Sequence, residues 1–186
     1  MADAIEPTRH ILLLLVAIAC VYTDLARNKI YNGVTLPALA LGLILAGLLD
    51  AEVPGIPNLK AAVIAALAGG GLLFVIYLVG GLGAGDVKLM AAIGALSPSM
   101  TELPGANWQF VLLALFYTAL VGAGIAIGVL IWRGQLLKGL KDSARTLFTF
   151  RAKPREGRPP LTIPYGLAIG VGTIWAWFET FALAAG

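Results

Sequence analysis

The sequence predicts an all-α fold, a polytopic membrane helix bundle of about six transmembrane helices forming a single domain over residues 1–186. Hydrophobic residues make up 59% of the chain and charged residues 12%, which is about half the charged fraction of a soluble domain. Apolar runs that approach the length of a membrane-spanning helix recur along the chain. Basic residues are concentrated in the segments between these runs, as in multi-span membrane proteins.

The first three predicted spans are apolar runs that end in polar or turn-forming residues. Residues 10–25 form the first and end before a basic turn. The second covers residues 34–49 and ends in the polar, proline- and glycine-containing segment 50–55, which is typical of a turn. The third covers residues 61–79 and stops at a pair of glycines. Each run approaches the roughly 20 residues that a transmembrane helix needs.

The last three predicted spans differ in length. The fourth covers residues 86–96, ends at Ser-Pro-Ser, and is short enough that we expect neighbouring helices to shelter it from lipid. The fifth covers residues 110–132. A basic polar loop follows at about 133–160, and the sixth span covers residues 163–184. The loop is either an amphipathic segment on anionic lipid or a solvated loop.

Basic residues lie almost entirely on one side of the predicted membrane. Eleven of the thirteen Lys and Arg residues follow spans one, three and five: Arg27, Lys29, Lys88, Arg133, Lys138, Lys141, Arg145, Arg151, Lys153, Arg155 and Arg158. The opposite side has only Arg9 and Lys60. The positive-inside rule makes the first side cytoplasmic and puts both termini on the non-cytoplasmic side. The net charge of +3 is therefore a topology signal, and no nucleic-acid partner is expected.

Two aspartates stand at the edges of apolar runs, where a carboxylate is costly and marks a candidate functional site. Asp24 ends span one, and Asp86 begins span four after Gly83-Ala84-Gly85. The predicted topology puts both at the cytoplasmic face. Two structural alternatives remain open: Asp86 as a helix N-cap, and Asp24 as an ion-pair partner of Arg27 or Lys29.

Two carboxyl groups at one place can hydrolyse a peptide bond. A close pair retains one proton between them, so one member is ionised and activates water, while the other polarises the carbonyl and later delivers its proton. The pair acts as a unit, so neither residue is assigned a fixed role. No metal or cofactor is expected. The single histidine, His10, is predicted on the opposite side, which excludes a Ser–His nucleophile. Cys20 is expected to be packed as a small hydrophobic residue.

Three segments resemble the type IV prepilin peptidase and preflagellin peptidase family. Residues 83–89, Gly-Ala-Gly-Asp-Val-Lys-Leu, are similar to its Gly-x-Gly-Asp signature. Residues 24–32 resemble its other motif, an Asp followed by a basic loop and Ile-Pro-Asn. Residues 163–168, Ile-Pro-Tyr-Gly-Leu-Ala, resemble its late Pro-(Tyr or Phe)-Gly-Pro-Ala segment. Two departures replace a proline, by Tyr31 before Asn32 and by Leu167, and neither is expected to touch an aspartate.

The resemblance implies an integral-membrane aspartyl protease with Asp24 and Asp86 as its catalytic pair. Its substrate would be a prepilin, pseudopilin or preflagellin, cleaved between a short basic leader and a hydrophobic helix at the cytoplasmic face of the inner membrane. Larger members also methylate the new terminus, and many carry an insertion with paired cysteines. This chain has a short turn there and one cysteine, so the small, peptidase-only type without methyltransferase activity is expected.

Further residues of the three segments are candidates for supporting the site or binding substrate. They are Gly83, Gly85, Lys88, Asn32, Pro164, Tyr165 and Gly166. Structural alternatives are a membrane anchor for Lys88 and Tyr165 and a helix cap for Asn32.

Three other functional interpretations of the two aspartates are considered as alternatives. A proton- or cation-coupled transporter component would use them as ligands, but transporter sites usually lie near the bilayer midplane. A non-catalytic pilus assembly partner would tolerate substitution of either aspartate. Presenilin-like proteases also use Gly-x-Gly-Asp but are usually larger. The sequence predicts no particular oligomeric state.

Overall fold

The computed structural model describes residues 2–52, 58–80, 82–97, 107–132 and 165–182, and these residues are almost entirely helical, without a β-strand. The α-helices among them are α1 Ala2–Arg27, α2 Asn32–Glu52, α3 Asn58–Leu78, α4 Ala84–Leu96, α5 Asn107–Trp132 and α6 Tyr165–Trp177. A π-helical turn, Phe178–Ala182, continues α6. The all-α prediction is confirmed over this part of the chain. The predicted loop at 133–160 and Pro164 lie outside the described residues.

Each predicted span coincides with a helix, but the helices differ in length. Of the helices in the described ranges, three are long and apolar enough to cross a membrane, over Pro7–Arg27, Asn58–Leu78 and Trp108–Trp132, and α2 has a shorter apolar stretch at Asn32–Leu48. Helices α4 and α6 have 13 residues each, about 20 Å of helix against a hydrocarbon core of about 30 Å. Six complete spans therefore remain a prediction.

The short helix α4 is the centre of the bundle. It packs against all five other α-helices, and eight of its 13 residues are buried. A helix enclosed in this way meets protein rather than lipid on most of its surface. This confirms the expectation that neighbouring helices shelter the fourth apolar run.

Glycines let two neighbours approach the backbone of α4 closely. A Cβ atom added to Gly94 would lie 2.5 Å from the carbonyl oxygen of Ala65 in α3. A Cβ atom added to Gly42 of α2 would lie 2.7 Å from the carbonyl carbon of Ala95. Both neighbours are backbone atoms, so only glycine fits at these crossings. Small residues at helix crossings allow this kind of packing in membrane bundles.

A polar cluster holds α1, α4 and α6 together at one end of the bundle. The buried guanidinium of Arg9 donates to the carbonyl oxygens of Ser97 and Ala95 at the C-terminus of α4. A cation is favourable there because the last carbonyls carry the negative end of the helix dipole. The indole Nε1 of Trp177 donates to Nδ1 of His10 over 2.8 Å. The N-terminus of α4 therefore lies at the other end of the bundle.

Candidate active site

Asp24 and Asp86 lie at the same end of the bundle, opposite the Arg9 cluster. Arg9 and Asp24 are 15 residues apart on α1, and Asp86 and Ser97 are 11 apart on and just beyond α4. At 1.5 Å per residue these distances are about 22 and 17 Å. Since Arg9 contacts Ser97 and α1 packs on α4, the helices run antiparallel and return the two aspartates to similar depths.

The two carboxyl groups are buried and interact. Asp24 is 6% exposed and Asp86 is 7% exposed. They are close enough for Asp86 to feel the charge of Asp24. Their chain separation of 62 residues is thus bridged by the packing of α1 against α4.

Asp86 is fixed by the first turn of its own helix. Gly83 is the N-cap residue and has an extended backbone, so α4 begins at Ala84, two residues before the predicted start. Asp86 is the third helical residue, and its Oδ2 accepts a hydrogen bond from the Gly83 amide over 2.9 Å. The alternative that Asp86 is itself the N-cap is therefore wrong. It plays the reciprocal part, in which the third residue reaches back to the cap amide.

Asp24 is fixed by a different helix, α6. Its Oδ2 accepts a hydrogen bond from the main-chain amide of Leu167 over 3.0 Å. Amides in the first turn of a helix have no partner within the helix, and the positive end of the dipole favours an anion there. Arg27, one of the two cations considered as an ion-pair partner, donates instead to the hydroxyl of Tyr31 over 3.1 Å.

The backbone of α6 reaches Asp24 because Gly166 has no side chain. A Cβ atom at Gly166 would lie 2.9 Å from both Cγ and Oδ2 of Asp24. One turn later, a Cβ atom at Gly170 would overlap Val21 and lie 2.9 Å from the carbonyl oxygen of Ala17. Two glycines on one face of α6 thus bring it against α1, with Gly166 beside Asp24.

Tyr165, the first residue of α6, is half-buried at the same place. It is close enough to Asp86 to feel its charge. Tyr165 and Leu167 therefore each interact with one of the two aspartates, while Gly166 between them makes room for Asp24.

Leu167 corrects the expectation that neither departure from the family pattern touches an aspartate. Proline has no N–H, whereas leucine at this position supplies the amide that donates to Asp24. The sequence shows that leucine replaces the family's proline at position 167. The contact of its amide with Asp24 arises only because α6 packs beside α1. Tyr31, the other departure, accepts a hydrogen bond from Arg27 through its hydroxyl and contacts the first turn of α2 through its carbonyl oxygen.

Asn32 does not fill the expected role of a cap. The carbonyl oxygen of Tyr31 accepts hydrogen bonds from the amides of Val34 and Thr35, which makes Tyr31 the cap residue of α2. The Oδ1 of Asn32 instead accepts a hydrogen bond from Nζ of Lys88 over 3.1 Å. Two candidate residues from separate motifs are thereby brought into direct contact.

A second contact joins the same two motifs. A Cβ atom added to Gly85 would lie 3.0 Å from Cβ of Ile30 in the α1–α2 turn. Ile30 is a residue that the sequence analysis missed, because its role depends on the turn folding back over the start of α4. The first turn of α4 therefore carries Asp86 on one side and supports the α1–α2 turn on another.

The geometry suits chemistry by two carboxyl groups. The bonds from main-chain amides use Oδ2 of each aspartate, and Oδ1 of each is not involved in them.

Cys20, one turn before Asp24, is fully buried in the hydrophobic core as expected. Within the described residues no group of three or more His, Cys, Asp or Glu side chains is arranged to hold a metal ion.

Comparison with known proteins identifies related sequences. The model of the type IV leader peptidase family matches residues 11–127, a segment that includes both aspartates but ends before α6. A prepilin leader peptidase/N-methyltransferase of Aeromonas hydrophila is 35% identical over 132 residues, covering 67% of this chain and 41% of the relative. The protein of the same name from Aeromonas salmonicida (strain A449) is 36% identical over 132 residues, covering 67% of this chain and 40% of the relative. The chain thus spans about two fifths of the length of these relatives. No solved structure matches it.

Proposed function

The chain belongs to the type IV leader peptidase family, and from that membership we propose that it is a membrane aspartyl endopeptidase that removes the short basic leader of a prepilin-like protein. The observation that carries the proposal is the pair of buried, interacting carboxyl groups of Asp24 and Asp86. They come from two motifs far apart in the chain and lie at the same end of the bundle.

In the proposed reaction the two carboxyl groups share the work of hydrolysis. The ionised member removes a proton from water, and the oxygen of that water attacks the scissile carbonyl carbon. The protonated member donates a hydrogen bond to the carbonyl oxygen, and a proton then passes to the departing amine. Main-chain amides hold one oxygen of each aspartate, so the geometry is set before the substrate arrives, which lowers the cost of alignment.

The substrate is proposed to be a prepilin, pseudopilin or preflagellin whose hydrophobic helix lies in the bilayer beside the enzyme. The enzyme itself is proposed as a multi-pass protein of the cytoplasmic membrane, with its active site at the cytoplasmic face. Support comes from charge: Arg27 and Lys88 lie on the helix ends that carry the aspartates, and Lys29 lies in the turn after α1. The positive-inside rule predicts that this end faces the cytoplasm.

We further propose that the chain acts as a peptidase without methyltransferase activity. The two Aeromonas relatives carry N-methyltransferase in their names, and each is more than twice as long as the segment matched. Here α1 and α2 are joined by the four residues 28–31, and Cys20 is the single cysteine. The paired-cysteine insertion that many larger members carry has no counterpart in this turn.

Substitution of each aspartate tests the peptidase proposal. Asp24→Asn and Asp86→Asn replace a carboxyl group by an amide of the same shape that cannot exchange the proton. We expect each to lower leader removal from a co-expressed prepilin by at least about 10³-fold, because both groups take part in the same step. The measurement is the gel shift of the processed substrate.

A matched control is Glu179→Gln. Glu179 accepts a hydrogen bond from the Tyr117 hydroxyl at the opposite end of the bundle, and glutamine retains an acceptor, so processing should stay at the wild-type level. Membrane insertion of all three variants is measured in parallel. Normal processing by either aspartate variant would exclude that residue from catalysis. Normal pilus assembly with both aspartate variants would instead favour a non-catalytic assembly partner.

A further inference from the structure

Lys88 and Asn32 join the two motifs that carry the aspartates. Asn32 is the first residue of α2, eight positions after Asp24, and Lys88 is two positions after Asp86. Their side chains meet in a hydrogen bond of 3.1 Å between Nζ and Oδ1. This contact bridges 56 residues of sequence and lies at the end of the bundle that holds the two aspartates.

The side chains of Lys88 and Asp86 extend from different sides of α4. Residues two apart on an α-helix do not face each other, so Lys88 extends from a different side of α4 than the carboxyl group of Asp86. That side faces the start of α2 rather than the aspartate pair. The contact made by Lys88 is thus with the segment that carries Asp24.

The α1–α2 turn is short and closed by hydrogen bonds, so a movement of Asn32 at the start of α2 also moves the end of α1 that carries Asp24. Asn28 has a left-handed backbone with φ of 50°, which asparagine tolerates better than most residues, and its amide donates to the carbonyl oxygen of Asp24 over 2.8 Å. At the other end, the carbonyl oxygen of Tyr31 accepts the amides that open α2. Only four residues separate the helices, so holding Asn32 also holds the end of α1 that bears Asp24.

Packing of Gly85 against Ile30 provides a second, independent contact between the turn and α4. A Cβ atom at Gly85 would lie 3.0 Å from Cβ of Ile30, so a larger residue would fit only if Ile30 moved by a few tenths of an ångström. This contact limits how near the turn can come to α4. The hydrogen bond between Lys88 and Asn32 opposes movement away from it.

We propose that the hydrogen bond between Lys88 and Asn32 is a clasp that positions Asp24 relative to Asp86. The two residues are positioning residues, since they act through the α1–α2 turn and the first turn of α4 rather than on the substrate. This rests on the proposed peptidase function, because the alignment matters only if the two carboxyl groups act together. A single hydrogen bond at an exposed site contributes little to stability, whereas a misplacement of about 1 Å at reacting groups costs up to about 100-fold in rate.

Four single variants test the clasp in leader cleavage by the purified full chain in lipid vesicles. Lys88→Met and Asn32→Leu each remove one side of the hydrogen bond, Asn32→Asp retains an acceptor, and Lys29→Met removes an exposed basic group from the same turn. We expect Lys88→Met and Asn32→Leu to lower kcat about tenfold with KM within about twofold. Asn32→Asp and Lys29→Met should stay within about twofold of wild type. The double variant Lys88→Met/Asn32→Leu should be no slower than either single variant, because both remove the same bond.

Three kinetic outcomes would overturn the clasp. Wild-type kcat in Asn32→Leu would leave Lys88 as an anchor or a substrate contact, and a rise in KM alone for Lys88→Met would indicate substrate binding. Multiplied losses in the double variant would show that the two residues act separately. A structural readout keeps the test independent of activity: amide hydrogen exchange over residues 28–33 should rise in Lys88→Met and Asn32→Leu but not in Lys29→Met. If the wild-type chain cleaves no prepilin, the proposed function fails, while unchanged exchange would refute the clasp itself.

Discussion

At the scale of single residues, each aspartate is held by a main-chain amide near a helix N-terminus. Asp86 receives the Gly83 amide of its own helix, while Asp24 receives the Leu167 amide of α6. A main-chain donor has no rotamers to lose, so it orients a carboxylate at a low entropic cost. The two arrangements differ in one respect: the donor to Asp24 depends on residue 167 not being proline.

The Leu167 amide can be removed by a single substitution. Leu167→Pro eliminates the N–H but is compatible with the first turn of a helix, where that group has no intrahelical partner, and the preceding Gly166 has no Cβ to clash with the ring. Loss of one hydrogen bond of about 1 kcal/mol should lower kcat about fivefold. The measurement is single-substrate cleavage kinetics in vesicles.

Leu167→Ala is the matched control, since it shortens the side chain but retains the amide. It should cleave at close to the wild-type rate. Equal kcat values for the proline and alanine variants would show that the hydrogen bond to Asp24 does not contribute to the reaction, and that any loss arises from the leucine side chain.

The aspartates and Gly166 were predictable as site candidates from the sequence, whereas the roles of Leu167 and Ile30 were not, for a physical reason. A buried carboxylate is costly, so Asp24 and Asp86 stand out from the sequence wherever their helices pack. The parts played by Leu167 and Ile30 arise only when α6 and the α1–α2 turn come to rest against α1 and α4. A main-chain donor in particular leaves no trace in residue type, except where a proline is missing.

At the scale of helices, glycines decide how close α4 lies to its neighbours. The short length of the fourth apolar run was enough to predict a sheltered helix, because about 20 Å of helix cannot cross the hydrocarbon core alone. The partners of α4 were not predictable, since a glycine in an apolar run does not say which helix it approaches. The contact of Gly94 with Ala65 is visible only in the folded bundle.

Gly94→Ala tests this crossing. The added Cβ atom would lie 2.5 Å from the carbonyl oxygen and 2.6 Å from the carbonyl carbon of Ala65, and 2.7 Å from Cα of Ala66. Backbone atoms cannot swing aside, so α3 and α4 must separate, and overpacking of this kind costs about 1–3 kcal/mol. We expect a lower free energy of unfolding in detergent micelles and slower prepilin processing, because α4 carries Asp86.

Gly71→Ala on α3 is the control for this substitution. No atom lies within 4 Å of a Cβ atom built there, and alanine favours a helix by up to about 1 kcal/mol over glycine. The variant should be as stable as wild type or more so, with unchanged processing. If both alanine variants behaved alike, the close approach of α3 and α4 at Gly94 would not govern stability.

At the scale of the whole molecule, α4 connects two ends of opposite character. Asp86 is at its N-terminus, and the buried Arg9 guanidinium contacts its C-terminal carbonyls. An acidic group therefore lies at the positive end of the helix dipole and a cation at the negative end, and both placements are favourable. Basic residues lie at both ends: Arg27 ends α1 and Lys88 lies on the first turns of α4, at the end that holds the aspartates, while Lys60 lies at the start of α3. Which end faces the cytoplasm stays a prediction from loop charge.

This arrangement predicts which residues are accessible from each side of the membrane. In a Cys20→Ala background, Lys29→Cys puts a thiol in the exposed α1–α2 turn, and Trp108→Cys puts one at the exposed start of α5. Cys20 is the single cysteine of the sequence, so in this background any labelling comes from the introduced thiol. Because α5 begins at the end opposite the aspartates in the predicted topology, a membrane-impermeant maleimide should label Trp108→Cys in intact spheroplasts and Lys29→Cys only after permeabilisation.

The labelling pattern bears directly on where the substrate is cut. A prepilin leader remains in the cytoplasm until it is removed in the proposed reaction, so a site on the other face would never meet it. Labelling of Lys29→Cys from outside would put Asp24, five residues earlier on the chain, on the non-cytoplasmic side and exclude cytoplasmic cleavage. Labelling of Trp108→Cys alone would put Arg9 and the C-terminus of α4 outside and leave both carboxyl groups facing the compartment in which prepilins are made.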